Sequence, residues 1–403
     1  MDAENKTNET DFALDEMPGE EMHRTLREYR EQAEVRPTRF MGLPAFVITG
    51  HEALTLAFMD NETFPPHRMY QAAFEGAIGE SFISMEDPER HRLYRKLATP
   101  AFRSRAVSRY EREDLAAIAH ELIDRLAGLK TFDLVETFTA RFPYLVISRL
   151  LGLPRDREDE FQEWAFALLR FREDPATAAV ARKKLTDFLA PVVEDRRRTP
   201  REDVISELVG VRVDGRELDD EEIHSHVRLL FPTGGETTHG ALGNLLSTAL
   251  LRPEIWDALR SQPSLAGAAV QESLRWETPI AVLPRLSAPK VCQFRGTELP
   301  PDSWVLFAMA AANRDPSVFS NPNQFDITRF EAGPSSAGPS INESLTFGRG
   351  VKACPGMHLA RKNMEIALRV LLERLPSLEL IDQKSALPRR TVLRCPPALR
   401  VRV

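Results

Sequence analysis

The chain has 403 residues, is 42% hydrophobic and 28% charged, and carries a formal net charge of −7. These proportions fit a soluble globular chain with enough apolar material for a large core. Net acidity argues against nucleic acid as a partner, and no apolar run approaches the ~18 residues of a membrane span. Cys292, Cys354 and Cys395 are too few and too scattered for a disulfide framework, so a reducing compartment is expected. The opening residues have neither the basic nor the apolar region of a signal peptide, so the expected location is cytoplasmic.

Residues 1–20 are polar and acidic and read as a disordered segment; residues 21–403 read as one domain. Residues 44–50 form a short apolar run ending at a glycine, as a strand does, and 51–59 read as a helix. Residues 60–86 have no clear period yet carry Phe64, Phe74, Ile78, Phe82 and Ile83. A long apolar loop is unusual unless it is functional, and this one is expected to gate a pocket. Residues 88–98 are helical in pattern. Helical segments follow at 105–126, 139–151 (interrupted by Pro143), 157–171 and 176–197. Residues 219–251 could form one very long helix, broken near Pro232-Thr233-Gly234-Gly235. Helices are expected again at 253–260 and 265–276. After Pro279, short apolar runs alternate with Pro and Gly, as in a small sheet. Residues 332–339 read as a flexible Gly/Pro/Ser loop, 357–373 as an amphipathic helix, and 391–403 as strands. The expected class is mainly α with a small β-rich lobe.

The most informative stretch is Phe347-Gly348-Arg349-Gly350-Val351-Lys352-Ala353-Cys354-Pro355-Gly356. Its cysteine precedes a helix, whose positive dipole end and free N–H groups favour thiolate. Its glycines permit positive φ and let backbone approach something large and flat. A thiolate beside an apolar surface suits an axial ligand of haem iron. Two other pairs share a helix face: His91 and Arg95 at i, i+4, and Glu272 and Arg275 at i, i+3. Two glycines within the long helix cost roughly 1 kcal/mol each relative to alanine, which suggests room left for a ligand. His224 and His226, two apart, face opposite ways on a helix and do not suggest a metal site. Cys292 and Cys395 read as structural.

The spacing Phe-Gly-x-Gly-x-cation-x-Cys-x-Gly resembles the haem loop of the cytochrome P-450 superfamily, the haem-thiolate monooxygenases, with Lys352 where the family usually has histidine or arginine. The resemblance extends from about residue 44 to the end. It implies the family's triangular helical body with a long central helix over haem b, held by the thiolate of Cys354, with O2 as co-substrate. It implies haem contacts from Phe347, Gly348, Gly356 and Gly234, and propionate partners in His91, Arg95, Arg285 and Lys352. Glu272, Arg275 and Arg329 would form a buried structural triad. Glu236 and Thr237 would be the catalytic acid–alcohol pair that delivers protons. By family position the pocket would draw on Phe74, Ile78, Phe82, Thr233, Thr238, Ile280, Val282, Leu283 and Val392. The implied reaction inserts one oxygen atom into an apolar small molecule. Electrons would come from NAD(P)H through a reductase and a separate ferredoxin or flavodoxin, docked on the cations Arg92, Lys96, Arg103, Arg105, Arg349, Lys352, Arg361 and Lys362. The alternatives are a peroxide-driven peroxygenase and, from another class, a non-catalytic haem sensor or partner-binding module.

Overall fold

Helical and alternating patterns segregate in space. The structure, a computed structural model, describes residues 10–102, 115–331 and 343–403. A mixed sheet runs in the order Val35–Phe40, Leu43–Ile48, Trp304–Phe307, Leu283–Leu286. Its outer pairings are antiparallel, while Ala45 to Ile48 pair in parallel with Trp304 to Phe307. A smaller sheet joins Thr131–Asp133, Arg400–Arg402 and Glu379–Leu380, and Cys292–Phe294 pairs with Thr297–Leu299. The remainder is mostly helical, and no helix of the described residues is long and apolar enough to cross a membrane.

The Asp220–Leu250 helix is the centre of the helical lobe. A capping box between Asp219 and Glu222 starts it. Every residue from Thr238 to Leu250 is buried, as expected of a helix surrounded by other elements. Pro232 does not break it. The ring removes one N–H, leaving the Arg228 carbonyl without its usual helical partner. The Thr233 and Thr237 hydroxyls then donate back to the carbonyls of Leu229 (2.6 Å) and Thr233 (2.8 Å). Such back-bonding opens a helix locally without ending it, and packing on all sides holds the turn together.

Several expectations need correction. Residues 10–19 are ordered: Phe12 and Met17 are buried, and the Asp11 carboxylate accepts from the backbone N–H groups of Ala13, Met41 and Gly42. Residues 1–9 of the segment expected to be disordered lie outside the described residues. The apolar stretch 60–86 is partly helical: Arg68–Tyr70, a π-helical turn Gln71–Glu75 and Gly76–Ile78 follow one another directly. Of the expected C-terminal strands only Arg400–Arg402 forms. Leu393 has positive φ, and Pro396 and Pro397 cannot donate to a ladder. The loop at 332–339 and much of the helix expected at 105–126 lie outside the described residues; Leu115–Asp124 is helical. The Pro88–Ala98 helix begins with Asp87 accepting from Arg90 N–H and a proline in the first turn.

Candidate active site

A cavity lies between the middle of the Asp220–Leu250 helix and the cysteine loop with the Met357–Arg374 helix that follows it. Cys354, Phe347, Gly348, Lys352 and Gly356 line one side, and Gly234, Thr233, Thr237 and Thr238 line the other. The loop is held by its own backbone: Gly348 N–H donates to Leu345 O (2.8 Å) and Cys354 N–H to Phe347 O (2.9 Å). Gly350 has φ of 71°, and a Cβ there would stand 2.7 Å from the Phe58 carbonyl oxygen. Only glycine fits that position.

Cys354 is half-buried because its exposed surface faces the cavity. Burial pushes its thiol pKa up, against the Gly356 N–H and the charges of Arg95 and Arg361. The backbone N–H favours thiolate as expected, while desolvation opposes it more strongly, so a thiolate here is stabilised by a cation at the sulfur.

Four basic side chains gather nearby, none in a salt bridge with an acid among the described residues. His91 is buried with Nε2 unpartnered, and Arg95 has Nη1 buried and unpartnered. Burial together with Lys352 and Arg95 drives the His91 pKa down to about 4. Burial, Arg95 and Arg285 drive Lys352 down to about 7. Arg285 stacks on Tyr70 and Phe307 (5.2 and 5.7 Å to the ring centroids). Lys352 differs from the expectation of a propionate cation alone, since its Nζ donates to the carbonyls of Phe82 (2.6 Å) and Met85 (3.3 Å). It ties the cysteine loop to the 60–86 stretch. The lowered basicity of His91 and Lys352, with the unpartnered nitrogens of His91 and Arg95, calls for an anionic ligand. With a thiol on an apolar wall, these residues fit haem and its two carboxylates.

The triad residues meet. Glu272 binds Arg275 (2.7 Å) and Arg329 (3.1 Å), all three side chains nearly inaccessible. The two mid-helix glycines serve different purposes. Gly234 borders the cavity, where a Cβ would meet only Ile147 at 3.6 Å. Gly235 is covered by the Tyr144 ring, with three ring carbons 2.4–2.6 Å from where a Cβ would be. The expectation of ligand room thus holds for Gly234 and not for Gly235. Glu236 is outside the lining and accepts from Tyr144 OH at 3.1 Å.

Phe82, Thr233, Thr238, Ile280 and Leu283 line the cavity as expected, whereas Phe74, Ile78, Val282 and Val392 do not. Ile78 is buried in the main helical core and Phe74 packs against that core. Val282 belongs with Phe12 and Leu306 in a separate cluster, on which Val392 packs. Tyr70, Ile83, Ile147, Leu229 and Leu230 line the cavity unanticipated. Their helical period marked them as apolar-face residues and gave no sign of which neighbour they face.

A second buried ionic network was not visible in sequence. Glu277 binds Arg394 (2.5 Å) and His23 (3.1 Å), and Arg394 also donates to the carbonyls of Met17 and Gly19. These charges hold Glu277 well below the usual carboxylate range despite its burial. Of the expected docking cations, Arg92 and Lys96 are exposed, Lys362 pairs with Glu365 (3.0 Å) and Arg361 covers the Phe347 ring. Arg103 and Arg105 lie outside the described residues. His226 stacks between Phe82 and Tyr94, and no cluster of three or more potential metal ligands among His, Cys, Asp and Glu exists among the described residues.

Comparison with known proteins agrees with this geometry. The family model "Cytochrome P450" matches residues 161–397. Cytochrome P450 107B1 of Saccharopolyspora erythraea is 31% identical, over 92% of this chain and 91% of its own. The 6-deoxyerythronolide B hydroxylase of the same organism is 32% identical, over 92% and 93%. The solved structure of CYP109Q5 from Chondromyces apiculatus superposes with a TM-score of 0.84 at 30% identity, over 94% of this chain and 95% of that one. The chain belongs to the cytochrome P450 family and is an oxidoreductase of its monooxygenase class, a family defined by haem with thiolate ligation.

Proposed function

We propose that this chain inserts one oxygen atom from O2 into an apolar small molecule, most simply by hydroxylating a C–H bond. The observation that carries this reading is the Cys354 thiol on the wall of an apolar cavity, opposite Thr237 and beside basic side chains with no acid partner among the described residues. Haem b, when bound, supplies O2 activation and oxygen-atom transfer. The protein's own residues do the rest. Cys354 would hold the iron as thiolate, a state that the Gly356 N–H and the Arg95 and Arg361 charges favour. His91, Arg95 and Arg285 would take the propionates, with Lys352 as a fourth basic group that also anchors Phe82 and Met85. Phe82, Ile83, Ile147, Leu229, Ile280 and Leu283 exclude water and seat apolar substrate. Thr237 places its hydroxyl, which donates to the Thr233 carbonyl, at the cavity wall, and Glu236, next to it in sequence, would be the acid that supplies protons behind it. The Glu272–Arg275–Arg329 triad serves folding around the site.

Electrons from NAD(P)H would arrive through a reductase and an acidic ferredoxin or flavodoxin, attracted by Arg92 and Lys96 beside the cysteine side. The acid–alcohol pair favours O2 over peroxide as the oxidant. The hydroxylase among the relatives supports a secondary-metabolite type of substrate. The test is the reduced, carbon monoxide-bound spectrum: the red-shifted thiolate band should be present and should vanish in Cys354→Ala. Its retention in that variant would exclude Cys354 as the ligand. Product formation with NADPH and generic redox partners, set against peroxide alone, separates monooxygenase from peroxygenase. Neither product nor NADPH use would leave a haem-binding module.

A further inference from the structure

Glu236 faces a tyrosine rather than a cation. Its Oε2 accepts from Tyr144 OH at 3.1 Å, and among the described residues Glu236 has no salt bridge. Tyr144 is 2% exposed and sits on the neighbouring Phe142–Leu151 helix. Its ring is fixed edge-on between Phe166 and Phe231, with centroids 5.4 and 5.7 Å away. The seat beneath it is Gly235, where any Cβ would collide with the ring. A glycine in mid-helix is costly, and here it admits one specific side chain next to the acid.

Tyr144 is also among the residues that line a polar cleft, with Arg141, Glu158, Asp159 and Gln162. Arg141 is paired with Asp159 at 3.1 Å. Two other titratable groups sense Glu236, and both are neutral near pH 7. His239, one turn further on, is held low by burial and touches Thr139 through Nδ1 (3.1 Å). Cys395, from the C-terminal segment, is pushed up to about 11 by burial and by Glu236. Tyr144 itself is driven far above the ordinary phenol range by burial first and Glu236 second, so it remains a donor throughout the working range.

We propose that Tyr144 is the positioning residue for Glu236: its phenol donates to Oε2 and holds the carboxyl group toward the Phe142–Leu151 helix, outside the cavity lining. This rests on the proton-delivery role given to Glu236 above. In that role Thr237 alone would present a proton to the cavity.

The test is an infrared pH titration of the full-length protein with haem bound. The contribution of Glu236 is the carboxyl band in the difference between the parent and Glu236→Gln. Tyr144→Phe keeps the ring and its aromatic contacts and removes only the donor. The carboxylate then loses a hydrogen bond that favours its charged form, so the Glu236 midpoint should rise, its Ka falling roughly three- to tenfold. Gly235→Ala should move the midpoint the same way, because its methyl displaces the ring. A merely structural tyrosine would not shift a carboxyl titration. A midpoint in Tyr144→Phe equal to the parent's overturns the proposal. The reading needs no turnover, so its failure is distinct from failure of the haem-thiolate assignment, which the carbon monoxide spectrum reports.

Discussion

Two of the buried clusters of charge differ in completion. In the first, the two oxygens of Glu272 take Arg275 and Arg329, and the remaining guanidinium N–H groups donate to carbonyls of Asn313, Ser320, Pro322 and Gln324. In the second, His91, Arg95, Arg285 and Lys352 have no carboxylate partner among the described residues, and buried nitrogens of His91 and Arg95 bond to nothing. The first is finished by the fold. The second is finished only by a ligand carrying negative charge. Buried charge thus indicates structure where every group is paired and a binding site where it is not.

The largest break in this comparison is Glu272→Ala, which strands two buried arginines. Urea unfolding should show a loss of about 3–5 kcal/mol; a loss under ~1 kcal/mol would mean that the triad does not hold the fold. The second cluster should respond oppositely. Arg95→Leu should weaken haem binding by about 10- to 100-fold, the scale of a charged hydrogen bond. The haem-free protein should be as stable as the parent or more so, because an unpaired charge is gone. Equal losses in haem affinity and apoprotein stability would erase the distinction.

A smaller effect comes from pH. His91 titrates near pH 4 in the folded haem-free protein and near 6.5 when unfolded. Between those values the unfolded chain binds the proton and the folded one does not, so this group lowers stability as pH falls from about 6.5 to about 4. His91→Asn should flatten that part of the thermal-midpoint profile, by an amount of order 1 kcal/mol. An unchanged slope would place His91 in solvent contact. The smallest effect on stability lies outside both clusters. Thr237→Ala should change unfolding by less than about 0.5 kcal/mol, yet divert NADPH consumption from product to peroxide. Unchanged coupling would remove Thr237 from proton delivery.

Local pattern made much of this readable. The helices at His51–Met59 and Pro88–Ala98 stand where their sequence patterns place them, and the cysteine motif located the cavity floor. Glu272 and Arg275 share a helix face, and the family resemblance supplied Arg329. What remained hidden depends on partners far apart in sequence. Nothing near Tyr144 announces Gly235 or Glu236, and nothing near Glu277 announces His23 or Arg394. The pocket assignments failed for a related reason. Ile280 and Leu283 face the cavity while Ala281 and Val282 face the cluster around Phe12 and Leu306. Which way an irregular segment turns is set by packing, and a hydropathy pattern without a period carries no direction.

The parallel pairing of Ala45–Ile48 with Trp304–Phe307 has a consequence for how the protein is made. The first strands leave the ribosome early, yet their partner strand arrives only after the whole helical lobe has been synthesised. Until then, the inner edge carrying Phe46, Val47 and Ile48 presents unpaired backbone groups beside apolar side chains, a template for pairing with other chains. Loop closure over such a separation is slow, and exposed strand edges in partly folded chains favour aggregation. Chains truncated before Trp304 should therefore accumulate as insoluble material, and overexpression should gain more soluble product from slowed synthesis than from any surface substitution.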